Sequence, residues 1–195
     1  MAMMVKICGI TNLADALAAV EGGARALGFN FWLGSPRYIT PNAAREMLAK
    51  LPAEVWKVGV FVNEQPDKVA GIARETGLDI VQLHGQETGA DFPPGLRVWK
   101  AVRIGAHVDR DALGQYPAEA LLLDGASNGV SFDWRLAAGI HTKLIVAGGL
   151  DAANVAEAIR EARPWGVDAC SRLESSPGKK DHVKIAQFLK AALSA

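Results

Sequence analysis

The sequence predicts a single α/β domain over 1–195, a small (β/α)8 TIM barrel with shortened fourth and sixth helical connections. Three observations predict it. Eight short apolar runs recur along the 195 residues, and alanine-rich segments with apolar residues at three- and four-residue spacing separate them. No linker, low-complexity stretch or charge block divides the chain. Alternation of this kind calls for a parallel sheet buried on both faces, so the strands read as nearly continuous apolar runs. Eight units of about 24 residues fall at the lower end of the size range for such a barrel. The competing doubly wound sheet carries a glycine fingerprint after its first strand, whereas here that position reads CGITNLAD.

The first strand is 4–7 (MVKI), and the helix after it places Ala16, Ala19 and Val20 on one face before a Gly22-Gly23 stop. The second strand is 25–31 (RALGFNF). The next helix, TPNAAREMLAKL, begins with Thr40 as N-cap and Pro41 at the first helical position. The third and fourth strands are 55–62 (VWKVGVFV) and 79–83 (DIVQL), and the QETGADFP beyond them supports only a turn of helix. The fifth and sixth are 97–102 (RVWKAV) and 119–123 (EALLL), with the brief FDWRLAAGI after the latter. The seventh, 143–147 (KLIVA), leads to a helix whose expected N-cap is Asp151. The eighth is 166–169 (GVDA), and DHVKIAQFLKAAL closes the chain as an amphipathic helix from Asp181.

Composition excludes several function classes. The formal charge is zero, 21 basic residues against 21 acidic, so no positive field exists for nucleic acid. The longest lysine run, Lys179-Lys180, reads as a solvated edge. Apolar stretches such as ALLL and LIVA are too short to cross a bilayer, and the start lacks the pattern of a secretory leader. Two cysteines cannot build a disulfide framework, which fits a reducing cytosol. The expectation is a soluble cytoplasmic protein without nucleic-acid or membrane partners, either monomer or homodimer.

In such barrels chemistry gathers at the carboxyl ends of the strands. The first strand ends at Cys8, the second runs into FWLGSPRY with Arg37, and the fourth ends in QLHG with His84. The sixth ends at Asp124, the seventh at Gly148-Gly149, and the eighth in DACSR with Asp168, Ser171 and Arg172. Glycines between a strand and a helix let backbone N–H groups approach a phosphate, and this barrel class often binds one after strands seven and eight. A phosphorylated small molecule is therefore the expected ligand. Alternation puts Lys6 on the face of Cys8, one layer deeper, where its charge would favour a thiolate. Closure makes strands one and eight neighbours, so Cys8 and Cys170 should lie close.

The strings KICGIT, SPRYI, QLHG, LLLD, FDW, AGGL and PGKKD occur in that order over nearly the whole chain, each at a strand end or in the loop beyond it. Together they resemble the phosphoribosylanthranilate isomerases of tryptophan biosynthesis. The resemblance implies an Amadori rearrangement of N-(5-phosphoribosyl)anthranilate to the carboxyphenylamino-deoxyribulose phosphate, with no metal and no organic cofactor. It implies Asp124 as general acid and Cys8 as general base, and Arg37 fits the benzoate carboxylate through its guanidinium fork. His84, Gly148, Gly149, Asp168, Ser171 and Arg172 are the further candidates for substrate contact.

Two stretches depart from the family pattern. Cys170-Ser171-Arg172 stands where serine, serine and glycine are expected, and ASNG (Ser127, Asn128, Gly129) replaces glycine, threonine and glycine. With arginine in place of glycine, the last loop should take a right-handed path. The alternatives are a histidine-pathway isomerase of the same reaction type, an indole-glycerol-phosphate synthase, whose catalytic lysine and glutamate find no place in this sequence, and a phosphate-binding barrel without catalysis.

Overall fold

The computed structural model describes residues 3–105, 107–125, 130–140 and 142–195. Eight parallel strands close in sequence order: β1 (Met4–Ile7), β2 (Ala26–Asn30), β3 (Trp56–Phe61), β4 (Ile80–Leu83), β5 (Val98–Ile104), β6 (Ala120–Gly125), β7 (Leu144–Val146) and β8 (Gly166–Ala169). β1 and β8 seal the barrel with Lys6 opposite Asp168 and Ile7 opposite Ala169. Around it run α1 (Leu13–Glu21), α2 (Pro41–Leu48), α3 (Pro66–Thr76), α4 (Arg110–Gly114), α5 (Val155–Ala162) and α6 (His182–Leu193). The fourth and sixth connections are reduced to 3-10 turns, Gly89–Asp91 and Trp134–Ala137.

Strand alternation sorts the apolar residues into two layers. Val5, Ile7, Leu27, Phe29, Leu121, Leu123 and Val167 point outward and pack against the helices. Met4, Ala26, Val58, Ile80, Trp99, Ala120, Leu122 and Ile145 fill the barrel interior. α2 begins as the sequence predicts, with the Thr40 hydroxyl accepting from Ala43 N and Pro41 in the first turn.

Two expectations need correction. α5 starts at Val155 with Asn154 at its N-cap, not at Asp151. Asp151 instead opens a turn, accepting from Ala153 N, while Asn154 accepts from Asp151 N and donates to Gly149 O. The side chain of Asn154 thus ties the helix start to the glycine loop. The Lys179-Lys180 run is a solvated edge at Lys179 only. It forms β10 (Lys179–Lys180), paired antiparallel with β9 (Glu174–Ser176). Lys180 is buried, its ammonium held by Glu174 (3.0 Å) and by the carbonyl of Cys170 (3.1 Å). A carboxylate and a carbonyl offset the cost of burying that charge.

Candidate functional site

The carboxyl ends of the strands surround a cleft of about 410 Å³ lined by Cys8, Arg37, His84, Asp124, Gly148 and Arg172 among others. All nine candidate residues named from the sequence line it, Asp168, Gly149 and Ser171 included. A wider depression at the start of α1 and α6, lined by Asp15, Lys179 and His182, lies apart from them.

Cys8 stands just past β1, with its N–H bonded to Ala169 O. Its sulfur and the stem of Lys6 stand side by side over the backbone of Gly28. A methyl group on Gly28 would come within 2.6 Å of Sγ and 3.1 Å of Lys6 Cε, so only glycine fits there. Cys8 and Cys170 are both free thiols. The thiol of Cys170 beside it, and then the charges of Lys6 and Lys180, bring Cys8 well below the usual thiol range, against the opposing effect of burial. Cys170 moves the other way, raised by its bond to Cys8 and by burial.

Beneath them the fully buried Lys6 ammonium lies 3.0 Å from Asp168 Oδ1. The two are close enough for an ion pair but lack the alignment of a hydrogen bond. Burial, then the nearby charge of Cys8 and Asp124, raise the Asp168 carboxyl to about 7, although Lys6 pulls it down.

Asp124 stands on β6, three strands round the barrel from β1. Its Oδ1 accepts from Gly125 N (2.9 Å) and its Oδ2 lies 3.3 Å from His84 Nε2. Gln82 donates to His84 Nδ1 (3.1 Å), which leaves Nε2 as the N–H directed at Asp124. Gly148, with φ of 86°, closes over this group. A Cβ there would meet Gly125 N at 2.7 Å and Asp124 Oδ1 at 3.0 Å. Gly149 is also left-handed, with φ of 63°. Gly148 therefore has a packing reason as well as the phosphate-binding one expected of the pair.

Arg37 reaches the cleft from the loop after β2, yet its Nε and Nη2 are already held by Glu174, both at 2.7 Å. Burial works against the charge of Glu174, but Arg37 and Lys180 hold its carboxyl below the usual range. Only the outer edge of the guanidinium is left free of Glu174. Ser171–Leu173 forms a 3-10 turn, so the last loop is right-handed at Arg172, whose half-exposed guanidinium lies 3.6 Å from Asp151. Ser127, Asn128 and Gly129 lie outside the described residues. Among the described residues no cluster of histidine, cysteine and carboxylate could hold a metal ion.

Sequence reasoning missed Arg103, Trp32 and Glu174. Arg103 lines the cleft and stands opposite Asp124 in the β5–β6 register. The expected fifth strand stopped at 102, one residue short of it. Counting by twos from Trp99 and Ala101 along the inner face would have found it. Trp32 lies at the mouth of the cleft in the loop carrying Arg37, and an exposed tryptophan beside a candidate anion site was a usable signal.

Comparison with known proteins identifies the family. The family model for N-(5'phosphoribosyl)anthranilate (PRA) isomerase matches residues 5–191. The chain is 51% identical over 199 residues to N-(5'-phosphoribosyl)anthranilate isomerase of Solibacter usitatus, covering 99% of this chain and 98% of the relative. The phosphoribosyl anthranilate isomerase structure from Thermus thermophilus superposes with a TM-score of 0.93 at 36% identity, over 98% of this chain and 99% of that one. A phosphoribosyl anthranilate isomerase in complex with reduced 1-(o-carboxyphenylamino)-1-deoxyribulose 5-phosphate gives 0.87 at 40% identity, over 99% and 100%.

Proposed function

We infer the activity of this chain from a premise the comparisons establish: it belongs to the N-(5'-phosphoribosyl)anthranilate isomerase family. It converts N-(5'-phosphoribosyl)anthranilate to 1-(2-carboxyphenylamino)-1-deoxyribulose 5-phosphate, an Amadori aldose–ketose isomerisation in tryptophan biosynthesis. The observation that carries the assignment of roles is one cleft lined by a thiol, a carboxylic acid, an arginine and a glycine loop.

The chemistry needs one acid and one base. Asp124 gives its proton to the furanose oxygen as the C1′–O bond breaks and the anthranilate nitrogen forms the protonated Schiff base. Gly125 N–H and His84 Nε2–H then hold the carboxylate that remains. Cys8, as thiolate, removes the proton from C2′, and the electron pair of that bond flows to the iminium to give the enolamine. Tautomerisation of the enol yields the ketone. Lys6 beneath the sulfur favours the ionised form that a base requires.

Substrate orientation rests on its two anionic ends. The phosphate takes Gly148, Gly149 and Ser171, with Arg172 adding charge from the rim, and the benzoate carboxylate takes the outer edge of Arg37. No step calls on a metal or an organic cofactor.

Freshly prepared phosphoribosylanthranilate, monitored by fluorescence with the purified protein, tests the reading. Enzyme-dependent conversion supports it. Binding without conversion makes the chain a phosphate-ligand barrel. Turnover of the histidine-pathway aminoaldose in place of this substrate reassigns it to that reaction.

A further inference from the structure

The interior of the molecule holds three buried lysines, and they are not alike. Lys100 pairs with Glu87 at 2.8 Å and also donates to Gly85 O at 2.7 Å. Lys180 pairs with Glu174 at 3.0 Å and donates to Cys170 O at 3.1 Å. Each has a carboxylate for its charge and a carbonyl for its N–H groups, as a buried ammonium requires. Lys6 is fully buried with only Asp168 at 3.0 Å. Among the described residues neither Lys6 Nζ nor Asp168 Oδ1 has a hydrogen-bond partner. The same side chain shares the inner face of β1 with Cys8, and bare Gly28 gives both room. An ammonium kept this short of partners has charge to spend on its neighbour.

We propose that Lys6 and Asp168 are a positioning pair beneath Cys8: the ammonium holds the sulfur as thiolate, and Asp168 divides that charge with it. Neither touches the reacting atoms of the substrate; both act through Cys8. The catalytic consequence rests on Cys8 being the base, while the effect on the sulfur does not.

Several other groups face the sulfur. Cys170 at the end of β8, Lys180 on β10 and Arg37 from the loop after β2 surround it, and Asp124 on β6 acts on Asp168 from across the cleft. Only Lys6 and Asp168 form an opposed pair one layer below. Removing the cation must therefore disfavour the thiolate, whereas removing the competing anion must favour it. Opposite signs from two adjacent substitutions are not what general loosening of a core produces.

The experiment measures the rate of iodoacetamide alkylation at Cys8 against pH, with the site read by mass spectrometry. A Cys170→Ser background retains a hydroxyl donor beside the sulfur and leaves Cys8 as the reporting thiol. Lys6→Met is expected to move the midpoint upward by about one pH unit or more, a tenfold loss of thiolate at fixed pH. Asp168→Asn is expected to move it downward, and this variant, which keeps the lysine, carries the test by itself if Lys6→Met does not fold. Midpoints that stay put, or that move the same way in both variants, overturn the pair. The acid limb of kcat/KM should track the alkylation midpoint. If alkylation shifts as expected and the kinetic limb does not, the pair stands and the role of Cys8 as base falls.

Discussion

The two ends of this barrel are built from the same strands and obey opposite rules. At the amino-terminal end, Trp99 is fully buried and meets Trp56 and Trp165 edge-on, with ring centroids 6.1 and 6.0 Å apart. Arg97 lies over Trp56 and Lys143 over Trp165, and both cations pair with Glu119. That end is aromatic, and its flanking charges are paired. Two residues further along each strand the inner face turns polar, with Lys6, Gln82 and Asp168. Two further on come Cys8, His84, Arg103, Asp124 and Cys170. One layer below this rim the buried Lys6 ammonium has only the Asp168 carboxylate for its charge. The comparison teaches that stability and chemistry are separated along the strand axis, so substitutions should separate them too.

The largest effect is expected at the closed end. Trp99→Ala should cost about 3–5 kcal/mol, the scale for emptying a large aromatic site, and denaturant unfolding will read it. Turnover of the folded fraction should stay near wild type. A matching fall in kcat would break the separation. At the rim, Cys8→Ser or Asp124→Asn should lower kcat by at least ~10²-fold, the scale of a positioned acid or base, with little change in melting temperature. Near-normal turnover in either removes that residue from the mechanism.

The success of sequence reading divides along the same axis. The strands were legible because burial on both faces leaves continuous apolar runs, and Cys8, Asp124 and Gly148-Gly149 were legible as the residues at which those runs end. The β9–β10 hairpin was not. Its lysine pair reads as solvent-facing until Glu174 and the Cys170 carbonyl are known to lie against it. The occupied fork of Arg37 was hidden for a similar reason, since Glu174 lies 137 residues away in the chain. Helix starts near the site fared unevenly. Thr40 caps by its own local geometry, whereas Asp151 is displaced by a glycine loop whose path Asn154 fixes.

Smaller effects sharpen the account of binding. Arg37→Lys should raise KM about tenfold with a lesser change in kcat, because a point charge cannot hold Glu174 through two bonds and still present an edge to the substrate. An unchanged KM would place the benzoate elsewhere, with Arg103 the next group to test. Arg172→Ala should raise KM only several-fold and leave kcat within about twofold. It should also flatten the salt dependence of kcat/KM, as loss of a half-exposed charge predicts. Wild-type affinity at low salt would show that the phosphate site works without this side chain.

The central claim is the proposal that Cys8 at the rim is the base and that its ionisation is shifted below the ordinary thiol range. The most direct measurement is the pH dependence of kcat/KM in wild type and Cys8→Ser side by side. A thiolate base is present above its pKa and lost as pH falls through it. Because that pKa is lowered, the wild-type acid limb should fall below the ordinary thiol value of about 8.5. Cys8→Ser, whose hydroxyl does not titrate in this range, should retain only a small residual activity without that limb. The same acid limb in both proteins would contradict the account, because some group other than Cys8 would then be the base.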